Sequence, residues 1–215
     1  MAGFDRSTLP NVITVGRVVL APIVMFLVFV PTFRARLIAF VLFVIAALSD
    51  LWDGYLARKH GWISDFGKLM DPLADKLLLI ATFVPFYIIS HRPGPVGSLP
   101  YWGMLPLWVI VVIFGREVLI TIMRAIAARR GAVVAAGRAG KHKAFFQNIF
   151  SGSVILWYAL QTKALVEGWS GWLWKAWQAF HGAVQAVLLL VAVVLTVYSL
   201  LVYLKGWRSM VREAT

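Results

Sequence analysis

Asp50-Leu51-Trp52-Asp53-Gly54-Tyr55-Leu56-Ala57-Arg58, followed after eight residues by Gly67 and then by Asp71 and Asp75, is the stretch on which the reading of this chain turns. The protein has nine acidic residues, and five of them, Asp50, Asp53, Asp65, Asp71 and Asp75, fall within 26 consecutive positions. Asp50, Asp53, Gly54 and Ala57 stand at i, i+3, i+4 and i+7, so a helix through them carries all four on one stripe. Asp71 and Asp75 stand at i and i+4 and share a face in the same way. Pro72 suits a first helical turn, which places Asp71 at or near the cap of the next helix. Residues 59–70 then read as a loop between two antiparallel helices, a connection that lets the two carboxylate pairs meet.

The surroundings of this stretch are apolar. Of the 215 residues 61% are hydrophobic, and the mean hydropathy is +0.82. A soluble domain of this size exposes too much surface to hide so many apolar side chains. Runs at 18–33, 37–49, 77–89, 104–114 and 182–204 hold few or no charges, and about 20 such residues cross a bilayer as a helix. The chain therefore reads as an all-α integral membrane protein, a single domain over residues 1–215 with six spans near 12–30, 36–58, 71–90, 104–129, 143–163 and 180–205. The first apolar stretch lacks a small-x-small cleavage pattern after it and reads as a retained helix rather than a signal peptide. Residues 168–179, rich in tryptophan, read as a short interfacial helix.

Charge sets the expected orientation. With six spans, one side receives Arg6, Arg58, Lys59, Lys68, Arg129, Arg130, Arg138, Lys141, Lys143, Lys205, Arg208 and Arg212, and the other Arg34, Arg36, Arg92, Lys163 and Lys175. Twelve against five puts both termini in the cytoplasm. Trp102, Trp108, Trp169, Trp172, Trp174 and Trp177 fall near the outer boundary, where an aromatic belt belongs. The net charge of +12 is read as contact with anionic lipid headgroups, and no nucleic acid is expected. There is no cysteine, so neither disulfides nor thiolate metal sites arise. His60, His91, His142 and His181 are scattered, with no pair at zinc-binding helical spacing.

Carboxylates at the edge of an apolar span are costly and usually serve an ion or a substrate. Four that converge either bind cations or rise in pKa. An all-oxygen set favours Mg²⁺ or Mn²⁺, hard ions suited to phosphate, and four carboxylates suffice for two ions that clamp a diphosphate. Gly54, Ala57 and Gly67 leave room for ligand and backbone to approach. Taken singly, Asp50 or Asp71 could be a cap, Asp65 an ordinary loop residue, and Gly54 with Ala57 a helix-packing seam. Their joint order argues for a site.

The same residues resemble the signature of the CDP-alcohol phosphotransferase family, and every signature position matches. Leu9-Pro10-Asn11-Val12-Ile13-Thr14-Val15-Gly16-Arg17 is similar to that family's amino-terminal stretch. Lys68-Leu69-Met70-Asp71-Pro72-Leu73-Ala74-Asp75-Lys76, Gly115-Arg116-Glu117-Val118 with Arg124, and Gly140-Lys141-His142-Lys143 with Gln147 resemble the subgroup that forms phosphatidylglycerophosphate. The resemblance implies a six-helix fold, a homodimer, and two Mg²⁺ or Mn²⁺ ions facing the cytoplasm of a bacterial inner membrane. It implies that Asp50, Asp53, Asp71 and Asp75 are metal ligands, with Asp75 also the general base. It implies CDP-diacylglycerol and sn-glycerol 3-phosphate as substrates, with CMP released, and it sets Gly54, Ala57, Arg58 and Gly67 beside the CDP-lipid. Other acceptors, phosphatidylglycerol (as in cardiolipin synthesis), inositol phosphate or serine, remain alternatives.

A phosphorylated acceptor needs cations at membrane depth. Arg116 and Arg124 are eight positions apart, about two helical turns, and Lys141 and Lys143 begin the fifth helix; these four are the candidate acceptor-phosphate residues. The competing assignment pairs Arg116 with Glu117 and leaves Lys141 and Lys143 as positive-inside residues. Two rival functions stand beside the enzyme. A divalent-cation transporter explains the carboxylates but not their gathering at one boundary, nor the lack of a polar path along the other helices. A scaffold leaves the ordered aspartates without a reason.

Overall fold

The computed structural model of the protein describes residues 9–60, 64–129 and 138–213, the side chains at 51, 53–58, 60, 65, 68, 138, 139, 141 and 208–213 excepted. Six helices follow one another: α1 (Leu9–Phe29), α2 (Phe33–His60), α3 (Asp65–Ser90), α4 (Leu107–Arg129), α5 (Arg138–Glu167) and α6 (Trp172–Glu213). Among the described residues there is no strand, only a single bridge between Leu99 and Gly103. Leu9–Phe29, Leu69–Ser90, His142–Glu167 and Trp172–Trp207 are long and apolar enough to cross a membrane. The chain forms two compact units, Met1–Gly97 with Ser151–Ser170, and Ser98–Phe150 with Gly171–Thr215.

In the first unit α1 packs on both α2 and α3. Its polarity is inverted relative to a helix in water. Val12, Val19, Ile23 and Phe26 are exposed, whereas Thr14 and Arg17 are buried with Ala21, Val24 and Val28. Apolar side chains facing outward and polar ones inward is the arrangement that hydrocarbon solvent selects, because a buried polar group must find its partner within the protein. The turn into α2 is closed by Thr32, whose Oγ1 accepts from the Ala35 amide at 3.3 Å. Arg36 then reaches back into the interior. Its guanidinium donates to the Val28 carbonyl (3.4 Å), the Tyr158 carbonyl (3.3 Å) and Thr162 Oγ1 (2.6 Å), and lies over the Tyr158 ring. One side chain thereby ties the end of α1, the start of α2 and the second half of α5. Tyr158 packs edge-on against Phe86 and donates its hydroxyl to the Gly97 carbonyl at 3.0 Å. Ser151 on α5 donates to Thr82 on α3 at 3.2 Å.

In the second unit α4 packs on α6 around Ile120, Met123 and Tyr203, with Leu200, Leu204 and Trp207 against them. Gln147, at the first half of α5, donates to Thr196 of α6 at 3.1 Å. A turn at 99–103 precedes α4, with Tyr101 in the left-handed region at φ 62°. The Trp174, Trp177 and His181 rings stack one above another along α6. At 42 residues α6 is about 63 Å long, twice the ~30 Å hydrocarbon core.

Three local expectations change. The third helix begins at Asp65, capped by Ser64 Oγ accepting from the Gly67 amide at 3.0 Å. Asp71 is thus inside α3 and is no cap, and Pro72 lies in the helix interior. The loop expected at 59–70 is correspondingly short, since α2 runs to His60. The tryptophan-rich stretch is no separate interfacial helix either: from Trp172 it is the first part of α6. Nothing in Trp172–Phe180 breaks a helix, and Gly171 lies before the first turn.

Gly97 is the connection's constrained point. It adopts φ 152°, and a Cβ there would stand 2.7 Å from the Ile89 carbonyl oxygen, a backbone atom. Gly97→Ala is expected to lower stability by about 1–3 kcal/mol, read as a lower unfolding temperature in detergent. Gly171→Ala, with open space at its Cβ, should unfold like the wild type; equal melting of both variants would contradict this account of the turn.

Candidate active site

The aspartates of the sequence signature meet a polar stripe on α1. An arginine in the middle of an apolar helix requires a partner at its own depth, and Arg17 finds carboxylates on two helices. Its Nη1 donates to Asp50 Oδ1 on α2, and its Nη2 to Asp75 Oδ1 on α3 at 2.8 Å. Arg17 is 2% exposed, whereas the Asp50 and Asp75 side chains are 36% and 59% exposed. The cation is therefore fully enclosed while both carboxylates keep an open side. The planar fork suits this task, because two nitrogens on one rigid group address two carboxylates at a fixed separation.

One turn earlier Thr14 does the same for the third carboxylate. Its Oγ1 lies 2.7 Å from Asp71 Oδ1 and 3.0 Å from the Pro10 carbonyl of its own helix. One further turn back, Asn11 Oδ1 accepts from Ser64 Oγ at 2.6 Å, the same oxygen that caps α3. Gly67 sits tightly over this junction: a Cβ would stand 3.2 Å from both Asn11 Oδ1 and Ser64 Oγ. Asn11, Thr14 and Arg17 thus hold the start of α3, the Asp71 carboxylate, and the Asp50–Asp75 pair spanning α2 and α3.

Of the sequence-predicted ligands, Asp50, Asp71 and Asp75 are brought to one face of α1. The side chains of Asp53, Arg58 and Asp65, and the surroundings of Gly54 and Ala57, lie outside the described residues. Among the described residues no three carboxylates or imidazoles close around a point as a ready ligand cluster. The donor chemistry nevertheless fits a hard divalent cation: three carboxylates from two helices, oxygen only, two of them half-open and joined through one guanidinium.

The second unit holds its own charged cluster. Glu117 accepts from Arg116 Nη1 at 2.9 Å and from Lys143 Nζ through the same oxygen. Arg116 Nη2 donates to Ser199 on α6, and its Nε is buried with no hydrogen-bond partner among the described residues. Lys143 is 5% exposed. Arg124 is exposed and lies over the Tyr203 ring at 5.9 Å. Of the four candidate phosphate residues, Arg116 and Lys143 are therefore brought together, Arg124 stands apart from them on α4, and Lys141 has no described side chain.

The signature aspartates by themselves do not foretell Thr14, Arg17, Asn11 or Ser64. A signal was present in the sequence: Asn11, Thr14 and Arg17 are polar residues at i, i+3 and i+6 in an otherwise apolar run. Glu117 had a signal too, as the lone acidic residue between Asp75 and Glu167.

Known proteins resemble this chain along most of its length. The family model described as CDP-alcohol phosphatidyltransferase matches residues 7–210. A Bacillus subtilis protein named CDP-diacylglycerol–glycerol-3-phosphate 3-phosphatidyltransferase is 36% identical over 160 residues, 69% of this chain and 76% of its own length. A Mycobacterium tuberculosis protein named probable phosphatidylglycerophosphate synthase is 34% identical over 160 residues, 73% of this chain and 70% of its own. An Arabidopsis thaliana protein, named as a chloroplastic/mitochondrial CDP-diacylglycerol–glycerol-3-phosphate 3-phosphatidyltransferase, is 32% identical over 95% of this chain. With a family match along nearly its whole length, over the segments that carry the carboxylates and the α1 stripe alike, the chain belongs to the CDP-alcohol phosphatidyltransferase family of transferases.

Proposed function

We propose that the protein transfers the phosphatidyl group of CDP-diacylglycerol to sn-glycerol 3-phosphate, forming phosphatidylglycerophosphate and CMP. The observation that carries this reading is the set of carboxylates Asp50, Asp71 and Asp75 held from α1 by Arg17 and Thr14, in a chain whose relatives bear that activity in their names. Asp50, Asp53, Asp71 and Asp75 would hold two Mg²⁺ or Mn²⁺ ions. When bound, these ions neutralise the diphosphate and stabilise the departing CMP. Asp75 takes the proton of the acceptor hydroxyl as that oxygen attacks the phosphorus bearing the diacylglycerol. The new P–O bond forms as the bond to the CMP oxygen breaks. Gly54, Ala57, Arg58 and Gly67 are assigned to the CDP-lipid, and Arg116, Arg124, Lys141 and Lys143 to the acceptor's phosphate. We further infer six spans with both termini in the cytoplasm of a bacterial inner membrane, and a homodimer.

Release of CMP by purified protein, with CDP-diacylglycerol, Mg²⁺ and one acceptor at a time, tests the reaction. Turnover is expected with glycerol 3-phosphate alone, and Asp75→Asn should reduce kcat by at least ~10²-fold, the usual scale of a lost general base. Turnover with phosphatidylglycerol or inositol phosphate instead would replace the acceptor. Metal uptake into sealed vesicles without CMP release would point to the transporter.

Arg124→Gln is expected to raise KM for glycerol 3-phosphate about tenfold, equivalent to ~1.4 kcal/mol, with KM for the CDP-lipid unchanged. A parallel rise in both constants would remove Arg124 from the acceptor site. The native chain lacks cysteine, so single cysteines report topology directly. Cysteines placed near either terminus should react with an impermeant maleimide only after inner-membrane vesicles are inverted; labelling of one terminus in each orientation would exclude six spans.

A further inference from the structure

On the α1 stripe Thr14 and Arg17 face carboxylates, and Asn11 accepts from the Ser64 hydroxyl that caps α3. Thr14 is 1% and Arg17 2% exposed, so neither is positioned to meet substrate by itself. Both contact expected metal ligands: Thr14 lies against Asp71 Oδ1, and Arg17 donates to Asp50 Oδ1 and Asp75 Oδ1. A hydrogen bond on one oxygen of a carboxylate fixes the plane of the group and directs the other oxygen. Removing such outer partners typically costs 10–100-fold in metal affinity.

We propose that Thr14 and Arg17 are positioning residues of the metal centre, with α1 acting as the outer layer that aims Asp50, Asp71 and Asp75 at the divalent ions. The inference rests on the metal-dependent reading above. It adds a division of labour: α2 and α3 supply the ligands and α1 sets their orientation. Thr14 contributes one hydroxyl donor to the first ligand of α3. Arg17 contributes a rigid fork that spaces a ligand of α2 from a ligand of α3. A lysine keeps the charge but concentrates its donors on one nitrogen, so it cannot hold two carboxylates at a guanidinium's spacing. Valine matches threonine in shape but lacks the donor.

The test is Mn²⁺ titration of the full-length protein in detergent, read by electron paramagnetic resonance of the free ion, with no substrate present. Wild type and Thr14→Ser should bind alike. Thr14→Val and Arg17→Lys should each bind Mn²⁺ 10–100-fold more weakly while eluting as the same species on size exclusion. Mn²⁺ affinity unchanged in Thr14→Val and Arg17→Lys would overturn the proposal, leaving the metal reading intact. So would a loss in Thr14→Val that Thr14→Ser does not restore, which would mark Thr14 as packing. No saturable Mn²⁺ binding by the wild type would instead remove the metal reading itself, and this proposal with it.

Discussion

The fork of Arg17 between Asp50 and Asp75 is the constraint around which the first unit is arranged. An arginine buried in an apolar helix is tolerated only when its charge is met at the same depth, and removing one partner of such a pair typically costs about 3–5 kcal/mol. Arg17 is met by carboxylates of two different helices. The register of α1 against both α2 and α3 is therefore fixed electrostatically, since a slide of one residue would leave a guanidinium facing hydrocarbon. The apolar side chains of α1 could not do this alone. In lipid they gain little by choosing one neighbour over another, so specificity falls to the polar contacts.

The same logic recurs at the other end of the first unit, with neutral partners in place of charged ones. Arg36 is 4% exposed, and its partners among the described residues are two carbonyls, a hydroxyl and an aromatic face. The Val28 carbonyl lies in the last turn of α1, where helical carbonyls carry partial negative charge and lack an intrahelical donor, whereas the Tyr158 carbonyl lies inside α5. Arg36 thus works as a fastener for three helices, whereas Arg17 faces carboxylates that retain an open side. Two buried arginines in one unit carry different chemistry because their partners differ in charge and in exposure.

Much of this was legible in the sequence, and the failures have local causes. Helical class, helix number and the carboxylate cluster followed from apolar runs and from the crowding of five acids into 26 positions. The start of α3 did not. Asp71-Pro72 has the chemistry of a helix beginning, but Ser64 offers an equally good cap seven residues earlier, and its hydroxyl is held by Asn11 from another helix. Tertiary contact decided between two acceptable caps, and such a contact is invisible along the chain. Likewise, Thr14 and Arg17 stood in a stretch similar to the family's amino terminus, but sequence spacing within α1 says nothing of which aspartate each would reach. The long α6 was hidden by its tryptophans, which suit a membrane boundary whether or not the helix ends there.

The cluster on Glu117 shows how two assignments that compete in the sequence are compatible in the fold. Arg116 could pair with Glu117 or wait for a phosphate, and in the structure it pairs. Lys143 shares the same carboxylate oxygen, and among the described residues Arg116 Nε is enclosed without a hydrogen-bond partner. A carboxylate placed between two cations also keeps both from repelling each other while they stand close. Replacing a buried triad of this kind with apolar side chains often stabilises a fold, so its presence between α4 and α5 supports the acceptor-phosphate role proposed for Arg116 and Lys143.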